Sequence, residues 1–292
     1  MSKRSRERHL AKLAAQRQAE RDATRRRREH RVIAALSAVG VVAAIVLAFA
    51  VFGGKSTSKA SATPSGRSTP SSSPTPSAAP GTQIGTVKPT ATPPKVVACN
   101  GTVPKEAGKP KPQFAGPPPN TVDPAKSYIA TMQTSCGTVV IQLDAKTAPV
   151  AVNSFVFLAR KGFYDGLTFH RIVKGFVIQG GDPKGDGTGG AGYQFQIETN
   201  PKVTFDKAGQ IAYANSGPGT NSSQFFITLA KLPQLDPSAQ GSYTIFGQVI
   251  KGLPAVLRMG DIPGTSNPGI PGENSVPTQA VYIDSVTISV KK

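Results

Sequence analysis

The chain has 292 residues, 38% of them hydrophobic, which allows one or two domains with a substantial core and excludes a miniature disulfide scaffold. The formal net charge of +18 is uneven: residues 1–31 hold 12 Lys or Arg against 4 Asp or Glu, residues 54–127 hold 9 against 2, and residues 128–292 hold 13 against 10. Because phosphate neutralisation supplies most of the affinity for nucleic acid, the nearly neutral C-terminal region argues against a nucleic-acid partner.

Residues 1–31 and 32–52 form the first two predicted segments, a basic tail and an apolar run of 21 residues without a charge or a proline. As a helix this run would span about 31 Å, which matches the roughly 30 Å hydrocarbon core of a bilayer. The positive-inside rule keeps the basic tail in the cytoplasm and places the chain after residue 53 on the other side. The sequence therefore predicts a single-pass cell-membrane protein whose lipid-bilayer contact is residues 32–52.

Two other interpretations of this region stay open. A cleavable signal peptide could use Ala48, Phe49 and Ala50, although its apolar region is usually shorter. A twin-arginine export signal could begin at Arg25 and Arg26, but the bulky apolar residues expected after the pair are absent. We favour the uncleaved anchor, with the arginine run lying against anionic lipid.

Residues 53–127 are predicted to be a disordered linker. Gly, Pro, Ser, Thr and Ala dominate its first half, and prolines recur through Pro119. Such a composition buries too little apolar surface to offset the entropy of ordering, so we expect a semi-extended tether.

Cys99 and Cys136 are the two cysteines of the chain, both beyond the predicted membrane segment. In an oxidising compartment an even pair favours a disulfide, and two thiols with no nearby histidine cannot complete a zinc site. The alternative is two unrelated thiols.

Residues 128–292 are predicted to be a mainly β domain. Thr147 is expected to cap a helix whose first turn contains Pro149 and which ends near Gly162, and a second helix fits residues 253–259. Short β-rich runs bounded by turn residues make up most of the rest: 128–133, 138–143, 168–173, 176–179, 193–198, 210–214, 224–229, 244–250 and 281–290. Many short strands and two helices indicate a closed β-barrel.

Four sequence stretches resemble the cyclophilin family of peptidyl-prolyl isomerases: FHRIVKGFVIQGGD at 169–182, GTGG at 187–190, IAYANSGPGTNSSQFFITL at 211–229 and IFGQVIKG at 245–252. The resemblance covers residues 128–292. It implies a closed eight-stranded antiparallel barrel with two helices and an outer groove for proline. Together with the predicted membrane topology, it also implies an enzyme that assists the folding of proline-containing exported polypeptides.

The chemistry of prolyl isomerisation agrees with what the folded region lacks. Rotation about the amide bond faces a barrier of about 18 to 20 kcal/mol but breaks no bond, so neither nucleophile, metal nor cofactor is needed. His170 is the single histidine after residue 127, which excludes a multi-histidine metal site and leaves Ser222 and Ser223 without a base. The GDGTGG run at 185–190 is followed by a strand-like segment rather than a helix, so it is not a dinucleotide site.

The resemblance assigns roles to individual residues. Arg171 would donate a hydrogen bond to the prolyl nitrogen, with Gln179 and Phe176 completing the catalytic group. Val177, Phe226 and Leu235 would line the proline pocket. Asn215 and Gln224 would hydrogen-bond the substrate backbone or orient Arg171, while Gly187 and Ala214 would keep the groove open. Ser216 and Tyr243 are the remaining substrate-binding positions.

Three residues and one loop depart from the family pattern. Gln234 stands where relatives have an aromatic residue, Tyr243 where many have histidine and Ser216 where alanine is usual, and residues 237–242 form a longer loop. Cyclosporin-type cyclic peptides are implied ligands, and Gln234 should weaken them because it offers less apolar area than an indole. A module that binds proline segments without turnover is the alternative function.

Overall fold

The computed structural model of the protein describes residues 78–236 and 242–291. The predicted tail, the predicted membrane helix 32–52 and linker residues 53–77 lie outside the described residues, as do residues 237–241 of the predicted longer loop. Across residues 78–236 and 242–291, no helix is both long and apolar enough to cross a membrane.

Strands dominate the described residues. In chain order they are β1 (Gln83–Val87), β2 (Lys111–Phe114), β3 (Ser127–Thr134), β4 (Gly137–Leu143), β5 (Arg171–Val173), β6 (Val177–Gly180), β7 (Gln210–Tyr213), β8 (Phe225–Thr228), β9 (Ile245–Lys251), β10 (Gly264–Ser266), β11 (Asn274–Pro277) and β12 (Ile283–Lys291). Eight of them form one antiparallel sheet in the order β12-β3-β4-β9-β7-β8-β6-β5, while β1-β2 and β10-β11 form separate two-stranded sheets. The prediction of a mainly β domain with eight antiparallel strands is confirmed.

The prediction that this sheet closes into a barrel is wrong. Its terminal strands β5 and β12 share no ladder, and the sheet is a curled, open half-barrel. The segments just before these two strands meet only through the isolated bridge between Thr168 and Tyr282 and neighbouring backbone bonds. The β10-β11 hairpin packs beside β5, which has only three residues and is too short to form a full edge ladder.

Alternation along the strands separates the core from the outer face of the sheet. Ile172, Ile178 and Ile227 are at most 1% exposed and lie in the main hydrophobic core. Because successive side chains in a strand point to opposite faces, the residues next to these isoleucines project outward. The outer face therefore receives the odd-numbered side chains of β5 and β6 and the even-numbered ones of β8.

Two helices cover the core, α1 (Pro149–Arg160) and α2 (Leu253–Gly260). The predicted cap at Thr147 is wrong, because the Thr147 backbone N–H and hydroxyl both donate to Asp144. The first free N–H groups of α1, those of Val150 and Ala151, donate instead to the Glu198 carboxylate at 3.1 and 2.8 Å. A carboxylate at this end also suits the helix dipole.

The segment 193–198, predicted as a strand, is not one. It is an extended connection with a single isolated bridge between Phe195 and Asn221. Its polar groups are occupied by tertiary contacts, and the Glu198 backbone N–H donates to the Thr244 hydroxyl at 2.8 Å.

Residues 78–127, hereafter the extension, are ordered, so the linker prediction is wrong for this part of the chain. Phe114 is 1% exposed and packs edge-on against Phe157 of α1 at 4.8 Å between ring centroids. The Lys111 ammonium donates to the Asp165 carbonyl, and the Asn153 amide donates to the Pro119 carbonyl. Aromatic packing and long-range hydrogen bonds thus order a segment whose composition indicates disorder.

A disulfide joins the extension to the β3-β4 turn, between Cys99 and Cys136, across 37 residues of sequence. Beside it, backbone bonds join the Ala98 N–H to the Ala280 carbonyl and the Ala280 N–H to the Val96 carbonyl. The disulfide and these bonds fix the middle of the extension to the β3-β4 turn and to the segment just before β12.

Candidate active site

Four outward-facing residues form a row across the sheet. The Cα register pairs Arg171 of β5 with Gln179 of β6, Gln179 with Phe226 of β8, and Phe226 with Ala212 of β7. Side chains directly opposite each other in antiparallel strands lie on the same face, with Cβ atoms about 4.5 to 5.5 Å apart. Strand register alone therefore places a guanidinium, an amide and an aromatic ring side by side.

The Arg171 guanidinium is held on two sides and is little exposed. Its Nε and Nη2 donate to the two carboxylate oxygens of Glu273, both at 2.7 Å, and its Nη1 donates to Gln179 Oε1 at 3.3 Å. The side chains of Arg171 and Glu273 are 14% and 18% exposed. This bidentate pair fixes both the position and the plane of the guanidinium.

Glu273 was missed by the sequence interpretation. It lies just before β11, and 102 residues separate it from Arg171, so no local pattern connects the two. Burial raises the pKa of the Glu273 carboxyl, but hydrogen bonds from Arg171 and Ser275 and the guanidinium charge outweigh burial and leave the pKa below its usual value of 4.5. The carboxyl is therefore ionised at neutral pH.

A chain of hydrogen-bonded side-chain amides continues from Arg171 to residues 184–192, hereafter the glycine-rich loop. Gln179 Nε2 donates to Gln224 Oε1 at 2.9 Å, and Gln224 Nε2 donates to the carbonyls of Gly187 and Gly189, both at 2.9 Å. Gly187 lines the groove, and a Cβ there would meet no protein atom within 4 Å. Its φ of +88°, which L residues rarely adopt, is a further reason for glycine at this position.

A second hydrophobic cluster, here named the apolar pocket, lies on the outer face of the sheet beside this row. The predicted residues Phe176, Val177, Ala214, Phe226, Leu235 and Tyr243 all belong to one cluster. The sequence missed two of its members, Phe205 at 0% and Leu232 at 3% exposure. Phe226 stacks on Phe205 at 5.9 Å and meets Tyr243 edge-on at 5.4 Å between centroids. Burial raises the pKa of Tyr243, and the nearby Arg171 charge opposes this shift.

The family resemblance predicts one of two roles for Asn215, a hydrogen bond to the substrate backbone or the orientation of Arg171. The second is not seen, because the hydrogen bonds of the Asn215 side chain go to other residues. Its Nδ2 donates to Asn221 Oδ1 at 3.2 Å and to the Ser242 carbonyl at 2.9 Å, while its Oδ1 accepts the Gly217 N–H at 3.1 Å. These bonds hold the loop that begins with the exposed residue Ser216. Ala214, Asn215 and Ser216 line the groove beside the apolar pocket.

The two adjacent serines of this region use their hydroxyls in hydrogen bonds within the protein. The Ser222 and Ser223 hydroxyls donate to the carbonyls of Tyr193 and Gly181, both at 2.7 Å. Among residues 78–236 and 242–291, no group of three His, Cys, Asp or Glu side chains could hold a metal ion. Gln234 is exposed in the short 3-10 turn at Pro233–Leu235, which borders the pocket.

Comparison with known proteins gives consistent matches. Residues 129–288 match the model of the family described as cyclophilin type peptidyl-prolyl cis-trans isomerase/CLD. The chain is 48% identical over 150 residues to mouse (Mus musculus) peptidyl-prolyl cis-trans isomerase-like 1, which spans 50% of this chain and 86% of that protein. It is 42% identical over 184 residues to peptidyl-prolyl cis-trans isomerase A of Mycobacterium tuberculosis, which spans 58% of this chain and 96% of that protein.

A solved structure agrees with these relatives. The crystal structure of a Cryptosporidium parvum cyclophilin type peptidyl-prolyl cis-trans isomerase in the presence of the dipeptide Ala-Pro has a TM-score of 0.50 and 33% identity, covering 55% of this chain and 98% of that chain. The family-model match over residues 129–288 contains both helices and the outer-face row. This chain belongs to the cyclophilin family and is a cyclophilin-type peptidyl-prolyl cis-trans isomerase.

Proposed function

We propose that the outer face of the sheet isomerises X-Pro bonds by placing the proline ring in the apolar pocket and the X-Pro amide against Arg171. Twisting the amide removes its resonance and returns a lone pair to the prolyl nitrogen. A hydrogen bond from Arg171 to that nitrogen is stronger in the twisted state than in the planar one. Because it strengthens in the transition state, this bond accelerates the reaction.

The observation that carries this proposal is the orientation of the Arg171 guanidinium. Of its five N–H donors, three are occupied by Glu273 and Gln179, so two are free for substrate. Glu273 and Gln179 act as positioning residues, and Gln224 in turn holds Gln179. Preorganised donors of this kind require no reorganisation during the reaction.

The remaining predicted residues bind substrate in this proposal. Phe176, Val177, Phe226, Leu235 and Tyr243 contact the proline ring, because they form the apolar pocket beside the row. Ala214, Asn215, Ser216 and Gly187 line the path of the polypeptide that flanks the proline. Cyclosporin-type cyclic peptides are proposed to occupy the same surface.

Turnover is tested with the purified full-length chain and a proline tetrapeptide. Cis/trans exchange should be faster than the uncatalysed rate, which has a time constant of tens to hundreds of seconds, in proportion to protein concentration. Binding of the peptide without faster exchange would instead support a module that recognises proline segments.

The proposed setting is the outer side of the cell membrane, where the isomerase assists the folding of exported polypeptides. The 21-residue apolar segment 32–52 and the basic residues before it support this placement. Full-length protein should stay with membranes after an alkaline wash, and protease added outside intact cells should remove residues 128–292. Soluble mature protein that begins near residue 51 would indicate a cleaved signal peptide.

A further inference from the structure

A groove of about 800 Å³ adjoins the apolar pocket on the outer face of the sheet. One wall contains Gln179 and Gln224, the two amides that connect Arg171 to the glycine-rich loop. Val87 of β1 and Gln113 of β2, which belong to the extension, form another part of the lining. A substrate held at Arg171 would therefore contact the extension as well as the rest of the described chain, residues 128–236 and 242–291, hereafter the sheet domain.

The extension is fixed to the glycine-rich loop next to this groove. Gln113 Nε2 donates to the Gly190 carbonyl at 2.8 Å, and the Phe114 N–H donates to the Ala191 carbonyl at 2.9 Å. A Cβ at Gly192, whose φ is +90°, would lie 2.8 Å from the backbone N and O of Phe114. Glycine at position 192 thus allows β2 to sit directly on the loop.

A second attachment lies at the other end of β1. The N–H groups of Thr90 and Ala91 both donate to the Lys184 carbonyl at 3.0 Å, and the Thr90 hydroxyl donates to Asp186 Oδ2 at 2.5 Å. The Cys99–Cys136 disulfide holds the chain between the two attachments. The wall is therefore preformed rather than assembled when a substrate binds.

The chemistry of the groove lining defines what the groove accepts. Its side chains are mostly amides and hydroxyls, among them Gln113, Gln194 and Thr220. Lys184 is the one charged residue in the lining, and Asp186 faces Thr90 and Thr188 instead. Hydrogen-bonding side chains without positive charge are complementary to such a surface, whereas a lysine or arginine would meet the Lys184 ammonium.

We infer that the β1-β2 hairpin adds a wall to the groove in which the polypeptide flanking the proline is proposed to lie, and that the groove completed by this hairpin selects polar uncharged or acidic side chains over basic ones. This inference rests on the proposed function of the outer face. It gives the extension a role in substrate selection that the sheet domain alone does not supply.

The experiment compares two peptide lengths with the full-length chain. A short peptide contains only Ala-Pro and its immediate neighbours, and longer peptides extend it on both sides with Ser, Asp or Lys. We expect kcat/KM to be several-fold higher for the Ser and Asp peptides than for the Lys peptide. Val87→Trp, which fills the groove, should lower the long-to-short ratio of kcat/KM about five- to tenfold.

Ile84→Trp is the matched control, because Ile84 lies on the same strand, is 60% exposed and does not line the groove. It should leave the long-to-short ratio as in the wild type. Lys184→Glu provides a test that does not depend on Val87, and it should reverse the preference between the Asp and Lys peptides.

The outcomes separate the two proposals. Absence of exchange activity towards every peptide would overturn the proposed function. Normal activity with the same length ratio in Val87→Trp as in Ile84→Trp, or with an unchanged Asp-to-Lys preference in Lys184→Glu, would overturn the selection by this groove while leaving the isomerase function intact. If Val87→Trp does not fold, Val87→Glu tests the hairpin instead: a carboxylate at this position should shift the preference towards the Lys peptide, and an unchanged preference would overturn the role of the hairpin.

Discussion

The apolar pocket and the groove beside it share one face of the sheet, yet different parts of the chain build them. The described walls of the pocket come from the sheet domain, where side chains such as Phe226 are 5% exposed and belong to a packed cluster. The outer wall of the groove comes from the extension, which hydrogen bonds and a disulfide attach to that domain. Pocket residues therefore serve folding and catalysis together, whereas Val87 and Gln113, through which the extension lines the groove, belong to neither hydrophobic cluster.

The largest effect is expected from Phe226→Ala, which empties the pocket. Truncating a buried phenylalanine typically costs about 3 to 5 kcal/mol through lost burial and cavity formation. Chemical denaturation should show this loss of unfolding free energy, and kcat/KM should fall because the proline ring loses its main contact. Phe226→Leu keeps most of the volume and should cost much less. Equal stability of the Ala variant and the wild type would contradict a packed pocket.

Removal of the disulfide should act on the extension. Cys99→Ser combined with Cys136→Ser opens a loop of 37 residues, which corresponds to about 4 kcal/mol in the chain-entropy model. We expect faster proteolysis within residues 78–127 than within the sheet domain, and the wild type should behave in the same way after reduction. Equal rates of proteolysis in residues 78–127 and in the sheet domain would contradict a selective role of the disulfide in holding the extension.

Glu273→Gln should lower kcat/KM about three- to tenfold with little change in peptide affinity, because the guanidinium loses a charged partner that orients it. The pKa of Glu273 is lowered, so the ion pair is present above its usual pKa of 4.5 and is lost only as the pH falls through the lower folded value. The wild-type pH-rate profile should keep its activity to below pH 4.5 before this limb appears.

The variant should lack that acid limb. Glu106→Gln is the control, since Glu106 pairs with Lys109 in the extension and should leave the profile unchanged. An identical acid limb in Glu273→Gln would exclude Glu273 as its origin.

The smallest effect concerns Gln234, at the rim of the pocket. Gln234→Trp adds apolar area and a ring N–H donor on the exposed 3-10 turn, so affinity for cyclosporin should rise a few-fold in a calorimetric titration. Gln234→Ala, which adds neither, should not gain affinity. A Trp variant that binds no more tightly than the wild type would remove Gln234 as the cause of weak inhibition.

The sequence predicts the sheet well because alternation of side chains is a local signal. In β5, β6 and β8 the buried isoleucines and their outward neighbours alternate with period two, and the same alternation places Arg171, Gln179 and Phe226 on one face. Closure of the barrel was not predicted correctly, because it depends on whether the two terminal strands are long enough to pair.

Glu273 and the extension were missed for a different reason. The partners of Glu273, Phe205 and Gln113 are distant in sequence, and nothing local in the chain indicates those contacts. The extension has the composition of a linker, and its order depends on a disulfide and on hydrogen bonds to the domain. Composition measures what a segment can bury by itself, not what a neighbouring domain provides.

The proposed role of Arg171 is tested most directly by the rate of prolyl exchange in Arg171→Ala, measured by NMR exchange spectroscopy together with peptide affinity and thermal stability. Loss of a charge-assisted hydrogen bond made in the transition state costs about 1.5 to 3 kcal/mol, or roughly 10- to 150-fold in kcat/KM. Arg171→Lys should not restore the rate fully, because an ammonium cannot accept the same fixed orientation from Glu273 and Gln179. Arg171→Ala should be a slow, folded enzyme that still binds the peptide; full activity in the folded variant would contradict the proposed role of Arg171.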